Sequence, residues 1–262
     1  MPKLRRPDGV ELYWEGRGDG PRVLIAHPCF SVRTAFEELC EELSKDHCVI
    51  RYDARGTGES TPRGPYDLRT DVEDLTALLE EIGEPVVLIG FGDALHRCIQ
   101  AAAPRPDLAS AVVVPGVAAL APRDAYDDID TGLASSPAVV GAFVQLLEAD
   151  YRSGLRTAIE GGNPQFSEED VQQRIDDVVA YSPPEVTLAR LNAWIRQDSR
   201  PAARQLGGRF WVLSFPGNVW FPEELMANFR DDAPDAHVEH VEDGAVSRPD
   251  LTAQVVRRIT RC

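Results

Sequence analysis

Aromatic side chains are scarce in this 262-residue chain, at 7% of the sequence, so its core must be assembled mainly from Val, Leu, Ile and Ala. No run of about 18 apolar residues occurs, and nothing is expected to span a membrane. The five cysteines (Cys29, Cys40, Cys48, Cys98 and Cys262) form no CxxC pair and their number is odd. No apolar leader follows Met1, so the expectation is reduced thiols in a cytoplasmic protein. The five histidines (His27, His47, His96, His237 and His240) lack a usual ligand spacing, and no metal site is expected. The closest two, His237 and His240, would point to opposite faces of a strand. Basic residues are also in deficit, 27 against 43 acidic ones, for a formal net charge of -16. That field repels phosphate backbones and anionic membranes, which argues against both as partners.

What remains is a chain long enough for one large core. Val10–Glu15, Val23–Ala26, His47–Tyr52, Val86–Ile89 and Ser110–Val114 read as strands. Val86-Val-Leu-Ile89 is apolar throughout, as suits a parallel strand covered on both faces. Helices are expected over Phe36–Leu43, Asp67–Ile82 and Leu95–Ala103. The second of these carries Leu68, Val72, Leu75, Leu78, Leu79 and Ile82 on one side. Alternation of strand and helix predicts a parallel sheet with right-handed crossovers. From about 130 to 205 the pattern turns helical: Ala138–Ala149, Gly154–Glu160, Ser167–Tyr181 and Pro184–Gln197. Ser167-Glu-Glu-Asp170 has the form of an N-capped start with acidic residues at the positive end of the dipole. Strands resume at Phe210–Ser214 and His237–Val241, and a helix over Leu251–Ile259 closes the chain. The organisation expected is an N-terminal part of an α/β core over 1–125, a helical cap over 126–205 and the rest of the core over 206–262.

Three motifs give this pattern a family likeness. Val-Leu-Ile-Ala-His27-Pro28 ends a strand; Tyr52-Asp53-Ala-Arg55-Gly56-Thr-Gly58-Glu-Ser60 follows the next; Val-Leu-Ile-Gly90-Phe-Gly92-Asp-Ala94 stands at a strand-to-helix turn. Together they resemble the α/β-hydrolase superfamily, in particular its small capped esterase and haloperoxidase-like members. The resemblance implies a mostly parallel central sheet with helices on both faces and a helical cap.

The same resemblance implies that the hydrolytic machinery is gone. The family's turn reads Gly-x-nucleophile-x-Gly, and the central position here is Gly92. A register shifted to Asp93 would lose Gly90 and Ala94 as the two small flanks, and would displace Pro106-Asp107 from its usual place. The acid position in Gly217-Asn218-Val-Trp-Phe-Pro222 is Asn218, which can orient a ring but cannot stabilise an imidazolium by charge. The base position in Glu242-Asp-Gly-Ala245-Val246 falls at Ala245 or Val246, and no histidine lies from 241 onward. His240 precedes this loop and reads as a surface strand residue.

On the anion-binding side, the resemblance implies backbone donors at Cys29 and Asp93. The Asp93 carboxylate is expected near a helix N-terminus, favoured in its charged form, more exposed than His27, and either a local cap or a ligand contact. His27 is expected as a buried residue beneath the pocket or as a proton-transfer group. Cys29 reads as a buried thiol without an activating partner, and His96 as packing or solvent-facing. Phe30, Trp194, Trp220 and Phe221 are candidates to line the cavity, while Asp53, Arg55, Gly56 and Gly58 read as bracing the sheet.

Three functions follow as expectations. The first is a non-hydrolytic enzyme (cyclase, lyase or isomerase type) acting by acid–base catalysis at Asp93 and His27 on a small apolar or aromatic specialised metabolite. The second is an inactive ligand- or partner-binding protein; the third is a divergent hydrolase with a relocated catalytic group. No cofactor is expected. A small molecule is the expected partner, with a homodimer or a protein of the same pathway left open.

Overall fold

The computed structural model describes residues 3–116, 120–121, 137–162, 166–194, 196–214, 225–241 and 248–261. Eight strands form one sheet: β1 (Lys3–Arg5), β2 (Glu11–Arg17), β3 (Arg22–Ala26), β4 (Cys48–Tyr52), β5 (Val86–Gly90), β6 (Ala109–Pro115), β7 (Phe210–Ser214) and β8 (His237–His240). Their spatial order is β1-β2-β4-β3-β5-β6-β7-β8. β1 and β2 pair antiparallel at one edge, and β4 through β8 with β3 run parallel. β1 is too short and too charged for apolar alternation to reveal it.

The strands alternate between two cores, as the period-2 geometry of a pleated strand requires. Leu24, Ala26, Val86 and Leu88 face one side, where α2 (Leu68–Ile82), α3 (Ala94–Ala102), α8 (Arg200–Leu206) and α9 (Leu225–Asp232) pack. Val23, Ile25, Val87 and Ile89 face the other, against α1 (Glu37–Leu43) and α10 (Pro249–Thr260). α2 starts at Asp67, whose carboxylate accepts from the Thr70 N–H at 2.8 Å. It stops at Gly83, which takes the left-handed conformation (φ 70°) that glycine tolerates without strain. Asp71 and Asp74 also lie buried on this helix, so its inner face is not purely apolar.

The cap consists of α4 (Pro137–Ala149), α5 (Tyr151–Gly162), α6 (Glu168–Tyr181) and α7 (Pro184–Trp194). Ser167 caps the start of α6 as the sequence led one to expect, and Asp170 reciprocates to complete a capping box. Val144, Leu147, Leu155, Val171, Ile175, Val178 and Leu191 make the cap's own core, joined there by Cys29 and Val32 from the loop after β3. The cap is thus built onto the segment that follows the His27-Pro28 pair. Among the described residues no helix is long and apolar enough to cross a membrane.

Candidate active site

The turn between β5 and α3 carries the central geometry. Gly92 has φ 54°, the left-handed region that side chains disfavour. A Cβ there would meet the Pro28 Cβ at 3.1 Å. Gly90 is small for a different reason: a Cβ would come within 3.1 Å of the Leu95 Cα.

Asp93 departs from expectation in two ways. It is buried, at 7% exposure, because the cap covers it. Nor does its carboxylate cap α3; it reaches across to the loop after β3, where Oδ1 accepts from the Cys29 N–H at 2.8 Å. Oδ2 lies 3.5 Å from the Arg97 guanidinium, one turn further along α3. Burial raises the Asp93 pKa, and Arg97 and the Cys29 N–H only partly offset it. Helix-start electrostatics therefore do not decide its protonation.

Arg97 ties this carboxylate to the sheet. Its Nε donates to the Tyr52 hydroxyl at 3.0 Å, and its Nη2 donates to the His27 carbonyl. A second buried guanidinium, Arg190 of α7, grips Asp71 of α2 through Nε at 2.7 Å and Nη2 at 2.8 Å. Arg190 Nη2 also donates to the Arg55 carbonyl at 2.8 Å. Burial opposes the charge on Asp71, but Arg190, with Arg97 and Arg55, outweighs it and holds the carboxyl below its ordinary range. Fork-like pairing of this kind is the strong form of a charge-assisted hydrogen bond.

The cap is latched beside the same loop. The Cys29 carbonyl accepts from Ser182 Oγ and Thr187 Oγ1, both at 3.0 Å. Tyr181 OH donates to Asp53 Oδ1 at 2.7 Å, and the Gly58 N–H donates to the Tyr181 carbonyl at 2.8 Å. Gly58 is left-handed (φ 51°), and a Cβ there would lie 2.6 Å from the Tyr181 ring. Asp53 also accepts from Arg33 Nη1 at 3.0 Å and the Glu59 N–H at 2.8 Å. Arg55 clasps Asp74 at 2.9 and 3.0 Å. The loop over 53–60 therefore braces both sheet and cap.

His27 is buried, with neither ring nitrogen hydrogen-bonded to a described residue, and it stacks on Phe36 at 5.5 Å between centroids. Burial, with the positive charges of Arg97, Arg51 and Arg33, pushes its pKa down to about 3. The Cys29 thiol is pushed well above its ordinary value by burial and by the Asp93 charge, so it is no nucleophile as it stands. His96, read as packing or solvent-facing, is buried, and its Nδ1 lies 2.8 Å from Ser199 Oγ.

Two small cavities flank the arginine pair. One, of about 10 Å³, is bordered by His27, Cys29, Tyr52, Arg97, Tyr181 and Arg190. The other, also about 10 Å³, is bordered by Asp93, His96, Arg97, Asp71, Arg190 and Trp194. Each admits a group the size of one water. The structure thus brings Asp93 and Trp194 to one cavity and Cys29 and His27 to the other, while Phe30 packs on the cap core. Asn218, Trp220, Phe221, Ala245 and Val246 lie outside the described residues. Sequence reading missed Arg97, Arg190 and Asp71. The Asp93–Arg97 spacing of four was a usable signal; the Asp71–Arg190 pairing had none.

No family model matches the chain. The Mycobacterium tuberculosis protein named "Probable oxidoreductase EphD" is 33% identical over 87 residues, which are 30% of this chain and only 15% of that protein. The "2-(acetamidomethylene)succinate hydrolase" of Mesorhizobium japonicum is 24% identical over 199 residues, covering 75% of this chain and 71% of the other. Among solved structures, an esterase from Exiguobacterium antarcticum superposes with a TM-score of 0.83 at 18% identity over 99% of both chains. The chain has the α/β-hydrolase fold, with the strand order and helical layers described above.

Proposed function

We propose that this protein is a non-hydrolytic α/β-hydrolase-fold enzyme that uses Asp93 for acid–base catalysis on a small, largely apolar or aromatic molecule, in a step of the cyclase, lyase or isomerase type. One observation carries the reading: Asp93 Oδ1 already accepts the Cys29 N–H. Hydrolysis through an acyl intermediate needs that donor for a developing oxyanion. A resident carboxylate both fills the donor and repels a second negative oxygen. The remaining support is subtractive, since Gly92 offers no nucleophile and Asn218 and Ala245 stand in for acid and base. The activities in the names of the esterase and hydrolase relatives are on this reading not transferable.

What the arrangement offers instead is a carboxyl group with a raised pKa, oriented by Cys29 and Arg97 and bordered by Trp194. A carboxyl whose pKa is raised by burial holds its proton more readily than a free one, which suits it to proton transfer. His27 is kept as a candidate proton-transfer group on its own cavity. Cytoplasmic residence remains part of the proposal, supported by the unpaired state of Cys29, Cys40, Cys48 and Cys98.

A second reading, an inactive ligand- or partner-binding protein, is favoured by the size of the two cavities, about 10 Å³ each, which leaves little room for a substrate. Deuterium exchange into enolisable ketones, followed by NMR, separates the two. Catalysed exchange that falls at least about 100-fold in Asp93→Asn supports the enzyme. Binding without exchange supports the second reading. Triad-like turnover of p-nitrophenyl esters by the wild type overturns both.

A further inference from the structure

One buried polar atom bordering the Asp93 cavity has no hydrogen-bond partner among the described residues, His96 Nε2. His96 is 1% exposed and stands three residues after Asp93, close to one turn along α3. Its other nitrogen, Nδ1, lies 2.8 Å from Ser199 Oγ, and the same hydroxyl accepts from Gln100 Nε2 at 3.1 Å. With Gln100 donating, the hydroxyl proton has Nδ1 as its acceptor. That assignment leaves the ring proton on Nε2. His96, with its unmatched N–H donor, borders a cavity of about 10 Å³, large enough for one oxygen-sized group. Buried donors in folded proteins are almost always matched by an acceptor, and no described residue supplies one here.

The surrounding charges say what kind of acceptor fits. Two carboxylates, Asp93 and Asp71, and two guanidiniums, Arg97 and Arg190, border the same cavity. Each guanidinium is already matched: Arg190 by Asp71 in a fork, Arg97 by Asp93 at 3.5 Å. A ligand carboxylate would face two resident carboxylates with no unmatched cation to receive it. An uncharged carbonyl or hydroxyl oxygen avoids that repulsion and still satisfies the imidazole. Trp194 also borders the cavity, which holds only the oxygen-sized tip of such a molecule.

We propose that His96 is the second polar contact of the Asp93 site, its Nε2–H donating to a neutral carbonyl or hydroxyl oxygen at the tip of an uncharged, flat ligand. The proposal rests on reading the Asp93 cavity as the ligand site. Ser199 and Gln100 are positioning residues, which fix the imidazole tautomer through the hydroxyl.

Acetophenone and benzoate serve as probes, sharing one ring and differing in charge. Histidine-labelled protein followed by ¹⁵N NMR reads the tautomer and the contact; equilibrium dialysis reads affinity. The expectation is an Nε2–H resonance for His96 that shifts with acetophenone, and at least tenfold weaker binding of benzoate. His96→Gln, which keeps an N–H donor at the end of the side chain, stays within about threefold of wild type, while His96→Leu loses at least tenfold. Ser199→Ala, which keeps the imidazole and frees the tautomer, loses several-fold and serves if His96→Leu does not fold. A His96 protonated on Nδ1, unchanged affinity in His96→Leu or Ser199→Ala, or benzoate binding as tightly as acetophenone overturns the proposal. If acetophenone binds through His96 but Asp93→Asn leaves deuterium exchange unaltered, the acid–base reading falls and this one stands. If exchange depends on Asp93 while His96→Leu binds normally, this proposal alone falls. If no uncharged carbonyl binds, both fall.

Discussion

The Asp93 carboxylate accepts the backbone N–H of Cys29, 64 residues away in the chain, at 2.8 Å. Removing it takes the acceptor from the Cys29 N–H and the counter-charge 3.5 Å from the buried Arg97 guanidinium. Asp93→Ala should therefore cost about 3–5 kcal/mol, the usual consequence of leaving a buried charge unpaired. Asp93→Asn keeps an acceptor for Cys29 and should cost less. Because burial raises the Asp93 pKa in the folded state, its contribution is fully present below the unfolded carboxyl pKa and is lost as pH rises through the folded value. The stability of wild type relative to Asp93→Asn should thus fall as pH rises from about 4, then level off. Urea denaturation of both proteins across pH 3.5 to 8 checks the sign; a difference that grows with pH contradicts the assignment.

The ion pair between Asp71 and Arg190 joins residues 119 apart and fastens α7 to α2. Both side chains are nearly inaccessible, at 4% and 3% for the pair's Asp and Arg. Arg190→Leu alone leaves Asp71 charged in a buried site and should destabilise by about 3–5 kcal/mol. Asp71→Leu combined with Arg190→Leu should recover much of that loss, since replacing a whole buried pair by apolar groups is often near neutral. Hydrogen exchange should show faster opening of α6 and α7 in the single variant than in the double one. Equal loss in the two would assign the cost to packing and not to charge.

These two relationships mark the boundary of what sequence alone could supply. The Val86-Val-Leu-Ile89 strand, the amphipathic helix over Asp67–Ile82 and the Ser167 N-cap were legible because each is encoded within a few neighbouring residues. The Gly92 turn was legible as well, from its small flanks. Asp93 was misplaced toward the surface because its burial comes from α7, whose arrival depends on how a helical segment of some 70 residues folds back. Arg97 was hidden inside a helix read only for its apolar face. α8 and α9 escaped because both are short, at 7 and 8 residues, and lack a sustained apolar stripe. Chemistry that a fold assembles from three distant segments leaves no local spacing to detect.

His27 and His96 should set the acid limit of stability. Burial holds both near pKa 3 in the folded protein, whereas an unfolded histidine titrates near 6.5. A depressed folded pKa gives stability that is present above the unfolded value and lost as pH falls toward the folded one. Below about pH 6.5 the unfolded state binds more protons, and each histidine should contribute a slope approaching about 1.4 kcal/mol per pH unit. Substituting either with Phe should remove one of the two contributions between about pH 6 and 3.5. Denaturation curves that keep the wild-type slope in both variants would mean that the imidazoles are accessible to protons in the native state.

Gly92→Ser tests the proposal that this turn carries no nucleophile. The residue sits at φ 54°, where a side chain costs about 1–2 kcal/mol, and its Cβ would press on Pro28 at 3.1 Å. A loss of stability of that size is expected. Ester hydrolysis is not, for two reasons. The new hydroxyl would have no histidine from the C-terminal loop to accept its proton, and the Asp93 carboxylate would still fill the Cys29 donor. The double variant Gly92→Ser with Asp93→Ala frees that donor and, on the proposed reading, should still be silent, since a hydroxyl without a general base is not activated. Stopped-flow assays with p-nitrophenyl acetate decide the matter. A burst of nitrophenol from the single variant would show that His27 or another base reaches the turn, and would return the protein to the hydrolases.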